Sequence, residues 1–268
     1  MTNRRTVITG GSSGLGLALA HTLAADGDEL VLIARNPAKL EAAAVEIRAA
    51  VKGARVSHYS VDVSDAQALQ ETFEDIIEQI GGIDLLINSA GVLREARFED
   101  TTEATFRETF DINLFGVINC CRAALPSLKE NSGTIVNIAS MASHAGVYGY
   151  TAYCASKHAL KGFTESLYFE LKPQGVRVQL ICPPEFDSPM VDALDEGRSP
   201  ENMAQTQMVP KEPMDVIVRD TMKAIRSGQY HTIAGFNARL AGFAVQHFPG
   251  LTRKLGEKIV KKASRGAS

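Results

Sequence analysis

Apolar and polar positions fall into two kinds of block along this chain. Short runs crowded with β-branched residues, such as Thr6-Val7-Ile8, Glu29 to Ala34 and Thr134-Ile135-Val136-Asn137-Ile138-Ala139, alternate with longer stretches rich in Ala, Leu and charged residues. Runs of the first kind read as buried strands and stretches of the second kind as helices. The alternation holds from Arg5 to about Ile181, punctuated by short Gly, Asp and Asn turns. It predicts a single-domain α/β fold, a doubly wound parallel sheet with helices on both faces. Ligands of such sheets bind beyond the carboxyl ends of the strands, so the residues that follow each strand are the candidates for chemistry.

The pattern changes near the carboxyl end. Phe236, Leu240, Phe243 and His247 recur at helical spacing, Phe248-Pro249 interrupts them, and Leu251, Leu255 and Ile259 resume the stripe among Arg253, Lys254, Lys258, Lys261 and Lys262. The chain therefore divides into residues 1–235, the α/β domain, and residues 236–268, an amphipathic basic tail. Such a helix suits an anionic membrane surface, but packing on the domain or on a second subunit is the favoured expectation. No apolar run reaches the length of a membrane span.

Composition narrows the function without naming it. With 268 residues, 45% of them hydrophobic, the chain can bury one sizeable core. A net charge of -3 gives no overall positive field to draw nucleic acid. Cys120, Cys121, Cys154 and Cys182 lack Cys-x-x-Cys spacing and fall in apolar or motif-rich stretches, as buried thiols of a cytoplasmic protein do. No clustered His, Cys and carboxylate spacing calls for a metal. Met1 to Arg5 runs straight into the first strand, which leaves no room for an apolar leader.

Candidate chemistry begins at Thr9-Gly10-Gly11-Ser12-Ser13-Gly14-Leu15-Gly16, a strand-to-helix turn. Glycines there allow close approach of a pyrophosphate, and the helix start offers unpaired N–H groups. The spacing departs from Gly-x-Gly-x-x-Gly, and no Gly-Lys-Ser/Thr follows, so a nucleotide-hydrolysing loop is excluded. Arg35 ends the second strand where an NAD-selective site places a carboxylate. A guanidinium there suits the 2′-phosphate of NADP, with Lys39 as a second positive contact. Asp62 and Val63 close the third strand, with Asp62 a candidate acceptor for an adenine amino group. Asn88, Ala90 and Gly91 form a small-residue turn after the fourth.

Ser140 follows the strand-like run 134–139, placed to hydrogen-bond a substrate oxygen; Ser143 lies further into the loop. Tyr153 and Lys157 stand four residues apart, on one face if the segment is helical. An ammonium beside a phenol lowers a pKa of about 10 and makes proton exchange with an alcohol or carbonyl possible. Asn113 is either a buried structural amide or the holder of a water in a proton relay.

Together, Thr9-Gly10-x-x-x-Gly14-x-Gly16, Asn88-Ser89-Ala90-Gly91, Asn113, Ser140 and Tyr153-x-x-x-Lys157 resemble the short-chain dehydrogenase/reductase family in order and spacing. The resemblance implies a Rossmann-type domain. It implies Tyr153 as general acid-base, Lys157 as the residue that tunes it and holds the nicotinamide ribose, Ser140 as the carbonyl's orienter and Asn113 as the end of the relay. Within that family the chain is most similar to the 3-ketodihydrosphingosine reductases, through Gly10-Gly11-Ser12-Ser13-Gly14, Ala34-Arg35-Asn36 with Lys39, Phe98-Glu99-Asp100, Gly149-Tyr150-Thr151-Ala152-Tyr153, Glu170-Leu171-Lys172-Pro173 and Pro183-Pro184-x-x-Asp187-Ser188-Pro189. The doubled proline stands where most of the family has Pro-Gly. That likeness implies NADPH on Gly10, Ser12, Ser13, Gly14, Leu15, Gly16, Arg35, Lys39, Asp62, Val63, Asn88, Ala90, Gly91, Tyr153, Lys157 and Pro183, a hydrophobic ketone as substrate, and a homodimer or homotetramer. The resemblance makes residues 1–235 a dinucleotide-binding catalytic domain with a substrate loop at about 184–213, but residues 192–213 and the tail are similar only loosely. A steroid or 3-oxoacyl thioester therefore stays open as substrate, as does a noncatalytic NADPH-binding module at a lipid surface.

Overall fold

The computed structural model describes residues 4–266; Met1 to Asn3, part of the leaderless amino terminus expected above, and the last two residues of the tail lie outside the described residues. In chain order the elements are β1 (Arg5–Thr9), α1 (Gly14–Asp26), β2 (Glu29–Ala34), α2 (Pro37–Ala50), β3 (Arg55–Ser60), α3 (Ala66–Ile80), β4 (Leu85–Asn88), α4 (Glu103–Phe110), α5 (Gly116–Glu130), β5 (Thr134–Ile138), α6 (Thr151–Leu171), β6 (Arg177–Cys182), α7 (Pro189–Asp195), α8 (Pro200–Thr206), α9 (Met214–Ser227), β7 (His231–Ile233), α10 (Phe236–His247) and α11 (Pro249–Gly266).

Local signals set the helix ends. Pro37 opens α2 with its φ already helical, and the Asn36 side chain accepts a hydrogen bond from the Lys39 amide at 3.0 Å. Asp65 caps α3 in the same way through the Ala68 amide, and Gly81, at φ 77°, closes it in the left-handed conformation. Asp62 accepts from both the amide and the hydroxyl of Ser64 at 2.9 and 2.7 Å. That tight turn ends β3 at Ser60, so Val61 to Asp65 form the strand-to-helix connection rather than the strand end expected from the sequence.

The strands form one parallel sheet in the order β3-β2-β1-β4-β5-β6-β7. The chain runs outward from β1 to β3, then returns to lay β4 on the other side of β1, and this reversal opens a crevice at the carboxyl edge. Register decides what meets there. Thr9 pairs with Ile33 on one side and Asn88 on the other, and Asn88 pairs with Asn137. The strand ends of β1, β4 and β5 are therefore level, and Gly10, Ser89 to Gly91 and Ser140 emerge on one edge.

Both sheet faces are buried. Val7, Val31, Leu86 and Ile135 pack with Phe73 of α3 and Leu128 of α5, while Ile8, Leu32, Ile87 and Val136 pack with Leu19 of α1, Leu40 of α2 and Ile217 of α9. Beneath the crevice, Asn88 donates to Asn137 at 2.8 Å and Asn137 to Thr164 at 2.9 Å. This buried polar row ties β4 and β5 to α6, the helix that carries Tyr153 and Lys157.

Candidate active site

Three elements bring the proton-transfer candidates together. Ser140 caps a single 3-10 turn, Met141–Ser143, its Oγ accepting from the Ala142 amide at 3.1 Å. Tyr153 and Lys157 lie in the first two turns of α6, and Ser140, Tyr153 and Lys157 line one cavity of about 1030 Å³. Ser143 is buried behind Ser140, its hydroxyl donating to the Ser140 carbonyl. Asn113 sits in a π-helical turn between α4 and α5, Asp111–Phe115, and is fully buried. Its Oδ1 accepts from the Val92 amide at 2.8 Å, and its Nδ2 donates to the Val92 carbonyl at 2.9 Å and to Ser156 Oγ at 3.1 Å. The amide of Asn113 thus clamps the segment after Gly91 against α6.

The electrostatics differ from the sequence expectation. Burial pushes the Tyr153 phenol up to about 12, a rise that the hydrogen bond with Ser140 only partly offsets. Lys157 Nζ donates to the Ile138 carbonyl at 3.0 Å and lies 5.8 Å from the Tyr153 ring centroid. Burial also draws the ammonium down to about 8. The lowering of Tyr153 by its i+4 neighbour is overturned, because desolvation of the phenol outweighs an interaction at that distance.

The glycine turn has the shape a dinucleotide needs. A Cβ at Gly10 would stand 2.8 Å from the Ala90 amide nitrogen, and one at Gly16 would stand 2.4 Å from the Gly10 carbonyl oxygen, so backbone packs on backbone here. At Gly14, with φ +53°, nothing but Ser188 comes within 4.0 Å of that position, which leaves room over the start of α1. Gly10, Ser13, Gly14, Leu15, Ala90, Gly91 and Pro183 line the same cavity as Tyr153 and Lys157. Ser12 and Gly16 shape the turn without lining it. Asn88 points down into the polar row, its Oδ1 buried with no partner among the described residues. Arg35 lies at the end of β2, exposed, 3.7 Å from Asp62 across the sheet edge, and Lys39 is exposed one turn into α2. Val63 is buried, its carbonyl accepting from Asn119.

Residues 4–199 match the short chain dehydrogenase family. The chain belongs to that family. It has the single Rossmann-like domain of other short-chain dehydrogenases. The 3-ketodihydrosphingosine reductase of Bos taurus is 38% identical over 187 residues, 68% of this chain and 56% of that protein. The matched stretch thus spans little more than half of that relative's length. Carbonyl reductase family member 4 of Xenopus tropicalis is 35% identical over 204 residues, 76% of this chain and 81% of that protein. Among solved structures, the alcohol dehydrogenase of Thermococcus sibiricus complexed with 5-hydroxy-NADP aligns with a TM-score of 0.74 at 26% identity, covering 86% of this chain and 95% of that one.

The outer wall of this short-chain dehydrogenase cavity was not legible as such in the sequence. Ala241, Ala244 and Val245 of α10 and Thr252, Leu255, Gly256 and Val260 of α11 line it, opposite Met190 and Val191 of α7 and Thr206 of α8. Helix α11 lies along α8, and Gly256 is buried there, with no side chain to hold the helices apart. Arg198 braces the same wall. Almost fully buried, it donates to Glu185 at 2.6 and 2.8 Å, to Asp195 at 2.9 Å and to Thr206 at 2.6 Å. The mixture of Gly, Ser, Arg and Pro in 184–199 reads only as a loop; long-range pairing makes it a wall.

Proposed function

We propose that this chain reduces a ketone to a secondary alcohol on a long-chain, lipid-like substrate with NADPH, and that 3-ketodihydrosphingosine is the best single candidate. The observation that carries the proposal is the cavity itself. One end holds Ser140, Tyr153 and Lys157, and the other is walled by apolar side chains of four helices. The likeness to the 3-ketodihydrosphingosine reductases supports the choice within that class.

When bound, the dihydronicotinamide supplies the hydride that reduces the carbonyl carbon. Gly10, Ser12, Ser13, Gly14, Leu15 and Gly16 would hold its pyrophosphate through the turn and the start of α1. Arg35 and Lys39 would hold the 2′-phosphate, and Ala90, Gly91 and Pro183, which line the cavity, would leave the cofactor space to pass. Ser140 donates to the ketone oxygen and fixes its direction. Tyr153 gives its phenolic proton to that oxygen as the alcohol forms, and a phenol held protonated by burial is in the right state to do so. Lys157 would hold the ribose, and its charge, 5.8 Å from the Tyr153 ring centroid, would favour the phenolate left behind. Asn113 keeps the Val92 segment and α6 in register.

The tail docks on an anionic membrane surface. Phe236, Leu240 and Phe243 of α10, Phe248 between the two helices and Leu251 of α11 are exposed. Arg253, Lys254, Lys258, Lys261 and Lys262 are exposed around them, and Glu257 is the sole acid from Phe236 onward. Apolar side chains ringed by cations match a lipid interface. No helix among the described residues is long and apolar enough to cross a membrane. The protein works in the cytoplasm at that surface, as a homodimer or homotetramer to which the exposed Phe115 and Phe169 lend apolar area.

Purified protein should oxidise NADPH with 3-ketodihydrosphingosine faster than with steroid ketones, 3-oxoacyl thioesters or small polar ketones. Turnover with NADH alone, or with small ketones alone, would overturn the reading.

A further inference from the structure

Sequence spacing offers no metal-ligand set, yet folding assembles one beside the cavity. His144 comes from the turn after Ser140, Cys182 from the end of β6 and His231 from the start of β7. His231 Nε2 lies 3.3 Å from His144 Nε2 and 3.6 Å from Cys182 Sγ, and no two of the three ligand atoms are more than 4.8 Å apart. A tetrahedral zinc ion with Zn–N near 2.05 Å and Zn–S near 2.3 Å needs N···N edges of about 3.3 Å and S···N edges of about 3.6 Å. Two edges of the triangle already have those lengths. We propose that His144, Cys182 and His231 form a binding site for a thiophilic divalent cation of the zinc class, which staples the turn carrying Ser140 to β6 and β7.

The surroundings suit ligands of this kind. Cys182 is fully buried and His144 and His231 are half-buried, so little water competes for the site. Burial first, then Lys161 and neighbouring histidines, lower His144 to about 4, and burial and Lys161 lower His231, so both rings are neutral at pH 7. Burial holds the Cys182 thiol up at about 11, so the Zn–S bond forms as the thiol proton leaves for solvent. Ser143 Oγ, 3.6 Å from Cys182 Sγ, or a water completes the tetrahedron.

One neighbour opposes a cation, and it makes the proposal discriminating. Lys161 Nζ lies 3.2 Å from His144 Nδ1. A metal on Nε2 puts the ring proton on Nδ1, so the ammonium must swing aside. Glu165, one turn along α6, is the acid that faces His231. Of the three ligands only His144 lines the cavity. The metal therefore acts on the position of Ser140 through the turn, and not on the substrate.

The test uses the full chain, stripped with chelator, and Zn2+ or Co2+ alone. Expected are one Zn2+ per chain that survives desalting, a raised melting temperature, and with Co2+ a thiolate charge-transfer band with the strong d–d absorption of a tetrahedral site. Cys182→Ser abolishes the charge-transfer band. His231→Ala, which spares the buried thiol if the serine variant fails to fold, weakens Zn2+ binding by about tenfold or more. Lys161→Gln tightens it. Absence of Zn2+ binding, cobalt spectra without the thiolate band, or binding unchanged in His231→Ala would overturn the proposal, as would Lys161→Gln leaving affinity unchanged.

Discussion

The two ends of the cavity are built from different materials. The inner end, over β1, β4 and β5, is mostly backbone: Gly10, Ser89 to Gly91 and the turn at Ser140, held level by strand register. The outer end is mostly side chains on short helices, α7, α8, α10 and α11, braced by Arg198 and by the contact between α8 and α11. Backbone at a sheet edge tolerates almost no displacement, since a methyl group at Gly10 or Gly16 would collide with main-chain atoms. Apolar side chains on separate helices repack at modest cost. The difference teaches that one end is suited to a constant cofactor and constant chemistry, and the other to substrate choice.

The sharpest way to break this division is at Tyr153. Tyr153→Phe should lower turnover about a thousandfold, within the range for loss of a general acid, while cofactor fluorescence titration shows unchanged binding. Near-normal turnover would remove Tyr153 from the chemistry. At the cofactor's far end, Arg35→Asp should cost NADPH about tenfold or more in kcat/KM and spare NADH, since a paired guanidinium becomes a repelling carboxylate. Steady-state kinetics with both cofactors reads the effect.

The outer end answers to a different measurement. Replacing both Phe243 and Leu251 with Glu removes two exposed apolar side chains from the proposed lipid-facing stripe. Each is worth about 1.5–3 kcal/mol when fully buried, so co-sedimentation with anionic vesicles should fall at least tenfold while melting temperature stays close to that of the parent. Equal sedimentation would place the membrane contact elsewhere.

A smaller effect separates function from stability at the inner end. Lys157 has its folded pKa near 8, below its ordinary value of 10.5, so below pH 8 the native protein carries a buried charge that the unfolded chain carries in water. Stability then rises with pH between about 8 and 10.5, as the unfolded chain holds more protons there. Lys157→Met removes that penalty but leaves the Ile138 carbonyl without its donor. The net gain at pH 7 should be about 1–2 kcal/mol and should shrink above pH 8 in denaturant titrations, although turnover is lost. Smallest is Ser140→Ala read through pH. Ser140 lowers the Tyr153 pKa, and alcohol oxidation needs the phenolate, so the rise of that rate with pH should move to higher pH.

Legibility followed the same division. The inner end is written in contiguous stretches, Gly10 to Gly16, Asn88 to Gly91 and Tyr153 to Lys157, because a turn or a helix face needs only near neighbours to take shape. The alternation of strand and helix gave the doubly wound sheet for the same reason. The outer end is assembled across the chain: Gly256 against α8, Arg198 against Glu185, Ser199 Oγ donating to Glu95. No local spacing encodes such pairs. The interruption at Phe248-Pro249 was visible as a break between two helices, but not that both helices would wall the cavity. The sign of the Tyr153 shift was hidden too, since it rests on how deeply the phenol and the ammonium are desolvated, a property of the folded packing.

The division itself is tested most directly by a homologous series of 3-keto amines of increasing chain length, each assayed for kcat/KM with NADPH. An apolar outer wall predicts that kcat/KM climbs with each added methylene, by up to about threefold to fourfold where the group is fully buried, until the chain passes the wall. A flat series, equal from the shortest ketone to the longest, would contradict the account.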